Sequence, residues 1–339
     1  MIHLAAIPSP SQNVIEIGPL TVHFYGILIA LGVVVAIIVS RGRFVRFGGS
    51  ADLFEKVAIW SVIIGFLGAR AAYVVTHTAR FEGRPWAVLF IWEGGLAIYG
   101  GLLFGAIALI WMVNRWGGDL FAVGDAVAVG VPLAQAIGRF GNYFNQELFG
   151  TPSDLPWAII IDPSRRPEGY EAFETFHATF AYEALWNALI LVPTILILEK
   201  NKKLAKGASF GVYVAMYAFI RFLMELLRTD TTFRFLGLSR NGWVSIAAFI
   251  GGLAWIWYTQ KRGEKRTLVG KPTFFSRQPA NTFPDQDNDD TDSAPDGDEP
   301  SADDTSSDAD HQQSGDVAES VPDHRPSWAR SPDESSDTE

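Results

Sequence analysis

The chain contains no cysteine, which removes disulfides, thiolate metal sites and a cysteine nucleophile of its own from the possibilities across 339 residues. His-x-x-x-His and His-Glu-x-x-His spacings are missing as well, and so is a P-loop. No metal and no cofactor is therefore expected, and nothing in the composition points to nucleic acid. Met1 to Thr21 holds no Lys or Arg ahead of the first apolar run, which argues against a cleaved secretory signal and for a retained first span. Positive charge is in short supply: 27 Lys and Arg face 37 Asp and Glu, for a net charge of −10. That acidity sits in one place. From Asp285 to Glu339 there are 19 acidic residues against Arg325 and Arg330 alone, so residues 1–284 carry +7. The acidic segment is rich in Asp, Ser and Pro and has too few large apolar residues to offset the entropy of ordering, so it is expected to be disordered.

What is present in quantity is apolar. Hydrophobic residues make up 48% of the chain, and the mean hydropathy is +0.15 in spite of the polar end. Stretches of the length a bilayer-crossing helix requires, about 17 to 25 residues, occur at roughly 22–40, 54–76, 96–113, 119–139, 183–199, 208–228 and 243–259. None alternates with period two, as a membrane β-barrel strand would. The fold class expected is all-α, a polytopic membrane protein with seven transmembrane helices. Arg41, Arg43 and Arg46, then Arg115, then Lys200, Lys202, Lys203 and Lys206, then Lys261, Arg262, Lys265 and Arg266 all fall in loops on one side. The excess of Lys and Arg in cytoplasmic loops puts the N-terminus outside and the C-terminus in the cytoplasm. Two parts follow: a seven-span membrane domain over 1–268 and a disordered acidic cytoplasmic tail over 269–339.

Four arginines escape this rule. Arg70, Arg139, Arg221 and Arg228 lie within or near the outer ends of spans two, four and six, where they need anionic partners. Tyr217, Arg221, Glu225 and Arg228 are spaced four, four and three apart, so they share one helix face over about 16 Å of rise. Glu225 can pair with either arginine, leaving one guanidinium short. The group has two readings: a structural network closed by Glu147, Glu183 and Glu225, or a grip on a lipid phosphate, to which planar guanidinium groups are geometrically suited. Asp125 stands fourteen residues before Arg139, about 21 Å along a helix, and is expected to be a satisfied polar contact near the cytoplasmic end of span four. Trp60, Trp86, Trp92, Trp243 and Trp257 read as interfacial belt residues, and Gly94, Gly95, Gly100, Gly101 and Gly105 as places where helices approach closely.

The densest polar string in the apolar part is Gly-Arg-Phe-Gly-Asn-Tyr-Phe-Asn-Gln-Glu-Leu-Phe-Gly, residues 138–150. Together with His23-Phe24-Tyr25-Gly26, Gly68-Ala69-Arg70, Trp92 through Gly101, Gly124-Asp125, His177 with Tyr182-Glu183, and Tyr217 through Arg228, it resembles the signature of the prolipoprotein diacylglyceryl transferases. These are bacterial inner-membrane enzymes, and the likeness covers about residues 20–260.

The resemblance implies transfer of the sn-1,2-diacylglyceryl group from phosphatidylglycerol to the lipobox cysteine thiol in the signal peptide of a prolipoprotein. A thioether forms and glycerol phosphate leaves. It further implies that Arg139 holds the lipid phosphate, that Asn142, Glu147 and Gly150 shape the site, and that Arg221 and Glu225 line the other wall beside Arg228, with Tyr25 and Arg70 nearby. A chain without cysteine fits a scheme in which the nucleophile arrives on the partner. Arginines beside the leaving phosphate stabilise charge that grows as the carbon–oxygen bond breaks, and their field raises the thiolate fraction of an incoming thiol. One position departs from the pattern: Tyr99 stands where many relatives carry histidine, and a phenol with an ordinary pKa of about 10 is a poor base at neutral pH, so either Tyr99 acts as a hydrogen-bond donor or phenolate near the arginines, or deprotonation is left to water or the lipid phosphate. Gln146, where small residues are common, and His177 without a following Pro depart in lesser ways. A lipid transporter or flippase for an anionic phospholipid is the alternative, although the odd number of spans and the absence of two matched halves speak against it.

Overall fold

The structure, a computed structural model, describes residues 6–18, 20–90, 94–229, 234–266 and 268–269. The tail from residue 270 onward, together with Trp92 and Glu93, lies outside the described residues. Among the described residues, seven helices are long and apolar enough to cross a membrane: α1 (Phe24–Arg46), α2 (Ala51–Thr76), α3 (Ile98–Arg115), α4 (Leu120–Asn145), α5 (Thr179–Lys200), α6 (Ala208–Leu227) and α7 (Arg240–Arg262). They coincide with the seven apolar stretches, and the all-α, multi-span expectation is borne out. Leu67, Leu102, Trp111, Leu189 and Ile250 are each more than half exposed, as are Trp60, Trp86 and Trp257, which is the outward face of a protein solvated by lipid.

Helix ends follow local chemistry. Ser50, Asp119 and Ser239 cap α2, α4 and α7 by accepting from backbone N–H groups of the first turn. In α5 the stretch Trp186–Leu191 widens to a π-helix immediately before Pro193. Proline has no N–H to give and its ring crowds the carbonyl four residues back, so one wider turn absorbs the misfit.

Without a hydrophobic drive between helices in lipid, small residues set the contacts. A Cβ on Gly100 would fall onto the Ala72 methyl and within 2.7 Å of the Gly68 carbonyl oxygen, and Gly101 and Gly105 meet Gly65 and Ser61 of α2 in the same way. The expectation of close helix packing is correct for these three glycines. Gly94 and Gly95 lie instead in the loop before α3 with positive φ, +78° and +85°, which glycine adopts without strain; an added Cβ at Gly94 would meet open space, while one at Gly95 would strike the Tyr73 ring of α2. Valine at Gly100 is expected to destabilise the α2–α3 pair by about 1–3 kcal/mol, visible as a lower melting midpoint in detergent.

Short strands organise the segments between spans. β1 (Ile7–Pro8), β4 (Ile159–Ile160) and β5 (Thr175–Phe176) form a three-stranded sheet in the order β1-β4-β5. β2 (Val14–Ile17) pairs with β3 (Leu20–His23), and β6 (Arg234–Phe235) with β7 (Leu238–Ser239). A cluster of Phe149, Ile159, Ile161, Phe176, Ala178 and Phe180 fixes the sheet against the ends of α4 and α5.

The opposite, basic end is closed by a buried ionic cluster. Asp125, 0% exposed, accepts from the backbone N–H groups of Gly207 and Ser209 at 2.7 and 2.9 Å and from Arg266 at 2.8 Å. Glu199 accepts from Arg43 at 2.7 Å and lies 3.2 Å from Arg266, whose residue follows the last helix. Asp125 is thus the satisfied polar contact its spacing suggested.

Candidate active site

The polar string of residues 138–150 occupies the end of α4 and the chain just beyond it. α4 stops because Gln146 turns left-handed, with φ of 51°, and returns its backbone N–H to the Asn142 and Tyr143 carbonyls. The Gln146 side chain then binds Asp162 twice, accepting from its N–H and donating to its carboxylate, both at 2.8 Å. This fastens the helix end to the small sheet. Gly150 passes between α5 and the end of α6: its N–H donates to the His177 carbonyl at 3.0 Å, and an added Cβ would lie 2.9 Å from the His177 Cβ. The neighbouring Thr151 N–H donates to the Leu227 carbonyl at 2.8 Å, which sets this strip of backbone beside Arg228.

Two buried carboxylates organise the arginines. Glu183, in the first turns of α5 and 1% exposed, forms ion pairs with Arg139 of α4 and, at 3.2 Å, with Arg221 of α6. Glu225, one turn beyond Arg221 and 5% exposed, accepts from Arg221 at 3.0 Å and faces Arg228 at 3.6 Å. Tyr217, Arg221 and Glu225 therefore share an inward face of α6 as their spacing suggested, whereas Arg228 stands just past the helix end in extended backbone and reaches Glu225 from there. The expectation that one guanidinium would be left short of a partner is not met, because Glu183 reaches across from α5. Among the described residues, three guanidinium groups meet at these two carboxylates. Tyr217 completes the face, bonded to Arg139 and lying against Glu183 and Arg221.

The amides continue the network outward. Arg139 reaches Asn142 Oδ1 at 3.5 Å, and Asn142 and Asn145 donate to Glu147 Oε1 at 2.9 and 3.3 Å. Tyr25 of α1 lies against Gly141, where a Cβ would enter its ring, and within the electrostatic reach of Glu147 and Arg139. A cavity of about 150 Å³ between α6 and α7, lined by Tyr213, Tyr217, Ala218, Arg221, Val244 and Ala248, brings an apolar space up to the Arg221 side chain.

Arg70 stands apart. All five of its N–H bonds go to backbone carbonyls of the loop between α2 and α3, those of Ala87, Val88, Phe90, Gly94 and Gly95, at 2.5–3.1 Å. The sequence called for an anionic partner; the loop supplies carbonyl dipoles instead, and Arg70 acts as its internal brace. Tyr99, at the start of α3 and half exposed, donates its hydroxyl hydrogen to Asn241 Oδ1 at 2.7 Å. His177 is a local contact, its Nδ1 3.1 Å from the Tyr182 hydroxyl. Gly207-Ala208-Ser209-Phe210-Gly211 has the Gly-x-Ser-x-Gly spelling of a nucleophile elbow. It opens α6 at the basic end, with Ser209 0% exposed and bonded to Glu199 and Arg266, so it is a packing element.

Ser239 and Asn241 are the site members that the sequence did not point to, whereas Glu183 and Tyr217 were expected, the one as an arginine partner and the other on the α6 face. A lone carboxylate inside the first turns of an apolar span was the available signal for Glu183. For Asn241 the only signal is Ser239-Arg240-Asn241-Gly242 opening the last span.

Residues 12–258 match the sequence profile of the prolipoprotein diacylglyceryl transferases. The chain belongs to this family. It is 42% identical to phosphatidylglycerol–prolipoprotein diacylglyceryl transferase 2 of Streptomyces coelicolor over 254 residues, 74% of this chain and 80% of that one. It is also 42% identical to the phosphatidylglycerol–prolipoprotein diacylglyceryl transferase of Cutibacterium acnes, over 261 residues, 76% of this chain and 88% of the relative. That of Frankia casuarinae is 42% identical over 253 residues, 74% of this chain and 61% of a longer protein. The resemblance carried by residues 138–150 is borne out, and the chain is a multi-span membrane member of a transferase family.

Proposed function

We propose that this protein transfers the sn-1,2-diacylglyceryl group of phosphatidylglycerol to the lipobox cysteine thiol in the signal peptide of prolipoproteins, at the outer side of the bacterial inner membrane. The observation that carries the reading is the set of Arg139, Arg221 and Arg228 sharing Glu183 and Glu225 next to an apolar cavity. A phosphodiester entering from the bilayer meets guanidinium donors that the two carboxylates hold in place, while its acyl chains stay among apolar side chains.

In the reaction the cysteine sulfur attacks the glyceryl carbon that bears the phosphate ester. The sulfur–carbon bond forms, the carbon–oxygen bond breaks, and glycerol phosphate leaves with the electron pair. The thiol proton passes to water or to the departing phosphate. Donors fixed before the reaction and aimed at the oxygen that gains charge lower the barrier without reorganising. Arg139 and Arg221 take that role, Asn142 and Glu147 orient Arg139, and Gly150 keeps the neighbouring backbone close to Arg228. Tyr25 and Tyr99 border the site. Arg70 contributes by bracing the loop before α3.

The topology proposed has the N-terminus outside and the basic end, including residues 269–339, in the cytoplasm. The site lies at one end of the bundle rather than at its middle, where a transporter would hold its cargo. The test is incubation of the purified protein with labelled phosphatidylglycerol and a lipobox peptide. A peptide mass gain of one diacylglyceryl unit is the expected result; lipid movement without adduct would favour the transporter. Removal of residues 270–339 is expected to leave the transfer rate within about twofold, since their Asp-, Ser- and Pro-rich composition offers few large apolar residues to pack against the spans.

A further inference from the structure

Asn241 lies outside the arginine cluster proper, yet it joins that cluster to Tyr99. Its Oδ1 accepts the Tyr99 hydroxyl hydrogen at 2.7 Å, and its Nδ2 donates to Glu225 Oε1 at 3.4 Å. The same Glu225 oxygen accepts from Ser239 Oγ at 2.7 Å, and the Ser239 hydroxyl oxygen accepts the Gly242 N–H at 3.0 Å. Ser239 caps α7, so the turn carrying Asn241 is fixed from both ends.

This arrangement determines the orientation of the amide. A carboxylate can only accept, so the NH₂ end of Asn241 must face Glu225 and its carbonyl end must face Tyr99. The phenol in turn has one hydrogen, and that hydrogen is committed to Asn241. Its oxygen retains lone pairs directed away from the amide, toward whatever approaches the start of α3. Each member thus fixes the polarity of the next, as outer partners of a functional side chain do.

We propose that Asn241 is a positioning residue for the transfer reaction: held by Glu225, it turns Tyr99 into a hydrogen-bond acceptor for the thiol of the incoming peptide. Tyr99 then receives the S–H without taking the proton, and sulfur is drawn to one place with its lone pair free to attack. The same phenol released from Asn241 would donate its hydrogen instead and would compete for sulfur as an acceptor. This inference rests on the transferase reading of the site and assigns a direction to one hydrogen bond within it.

The experiment is a double-mutant cycle on the full-length protein, using the labelled lipid and lipobox peptide with transfer rates and lipid KM recorded. Tyr99→Phe and Asn241→Leu are each expected to lower kcat about tenfold, with the lipid KM unchanged because the phosphate-holding arginines remain. The double variant is expected to be no slower than the worse single one, since Asn241 acts only through the Tyr99 hydroxyl. Asn241→Gln, which keeps both ends of the amide, should restore part of the rate. Additive losses, an unchanged rate in Tyr99→Phe, or a loss in Asn241→Leu that appears wholly in the lipid KM would each overturn the proposal. Should Asn241→Leu fail to insert, the glutamine variant alone decides by the same comparison with and without Tyr99→Phe. A wild-type protein that forms no adduct would instead count against the transferase reading itself.

Discussion

Alanine at position 139 is expected to lower the rate of diacylglyceryl transfer by about 10²-fold to 10³-fold, the loss associated with removing one preorganised donor from a developing negative charge. The protein should remain folded, because Glu183 keeps its 3.2 Å contact with Arg221 and is not left as an orphan carboxylate in the bundle. Lysine at the same position is expected to recover little of the rate. It preserves the charge but presents a point cation where a planar fork bridges Glu183, Tyr217 and Asn142. The measurement is single-turnover transfer to a lipobox peptide alongside thermal melting in detergent. A rate within threefold of the wild type, in protein that melts normally, would remove Arg139 from the chemistry.

The second large effect is expected at Glu183, and there it should fall on stability as well as on activity. This carboxylate is 1% exposed and is paired with two arginines from two other helices. Alanine removes the carboxylate paired with Arg139 and one of the two paired with Arg221, and breaking a buried ion pair from one side costs about 3–5 kcal/mol. Glutamine should be milder, since its carbonyl still accepts from one arginine. Melting in detergent is expected to rank wild type above Glu183→Gln and Glu183→Ala lowest, with transfer impaired in both. Equal melting for all three would mean that the α4–α5–α6 junction does not depend on this carboxylate.

The spans were legible because apolar length is the strongest signal in a membrane sequence, but their limits were less so: α1 and α4 continue to Arg46 and Asn145, past the apolar stretches at 22–40 and 119–139. The α6 face of Tyr217, Arg221 and Glu225 was legible too, since 4-4 spacing admits only one shared face, but that the helix stops one residue short of Arg228 was not. Other parts could not be read. The role of Arg70 depends on a loop that folds five carbonyls around it, and no spacing rule reports a backbone cage. Gly94 and Gly95 resemble the packing glycines of α3 in sequence and differ from them only in φ. The strands β1, β4 and β5 are two residues each, too short to leave an alternating pattern. Glu183 could be named as an arginine partner, but its choice of Arg139 and Arg221 together required the crossing of three helices.

The closed ionic cluster at the basic end has a practical side. Arg266 comes after the last helix, yet its guanidinium is held between Asp125 and Glu199, and a little further on the Val269 N–H donates to the Arg46 carbonyl at 2.9 Å. The final membrane helix is in this way buttoned to its neighbours from beyond its own end. A purification handle or reporter joined at Arg262 would strip the button away, leaving Asp125 with the backbone N–H groups of Gly207 and Ser209 and Glu199 with Arg43 and Ser209, whereas a junction placed past Val269 would leave it fastened.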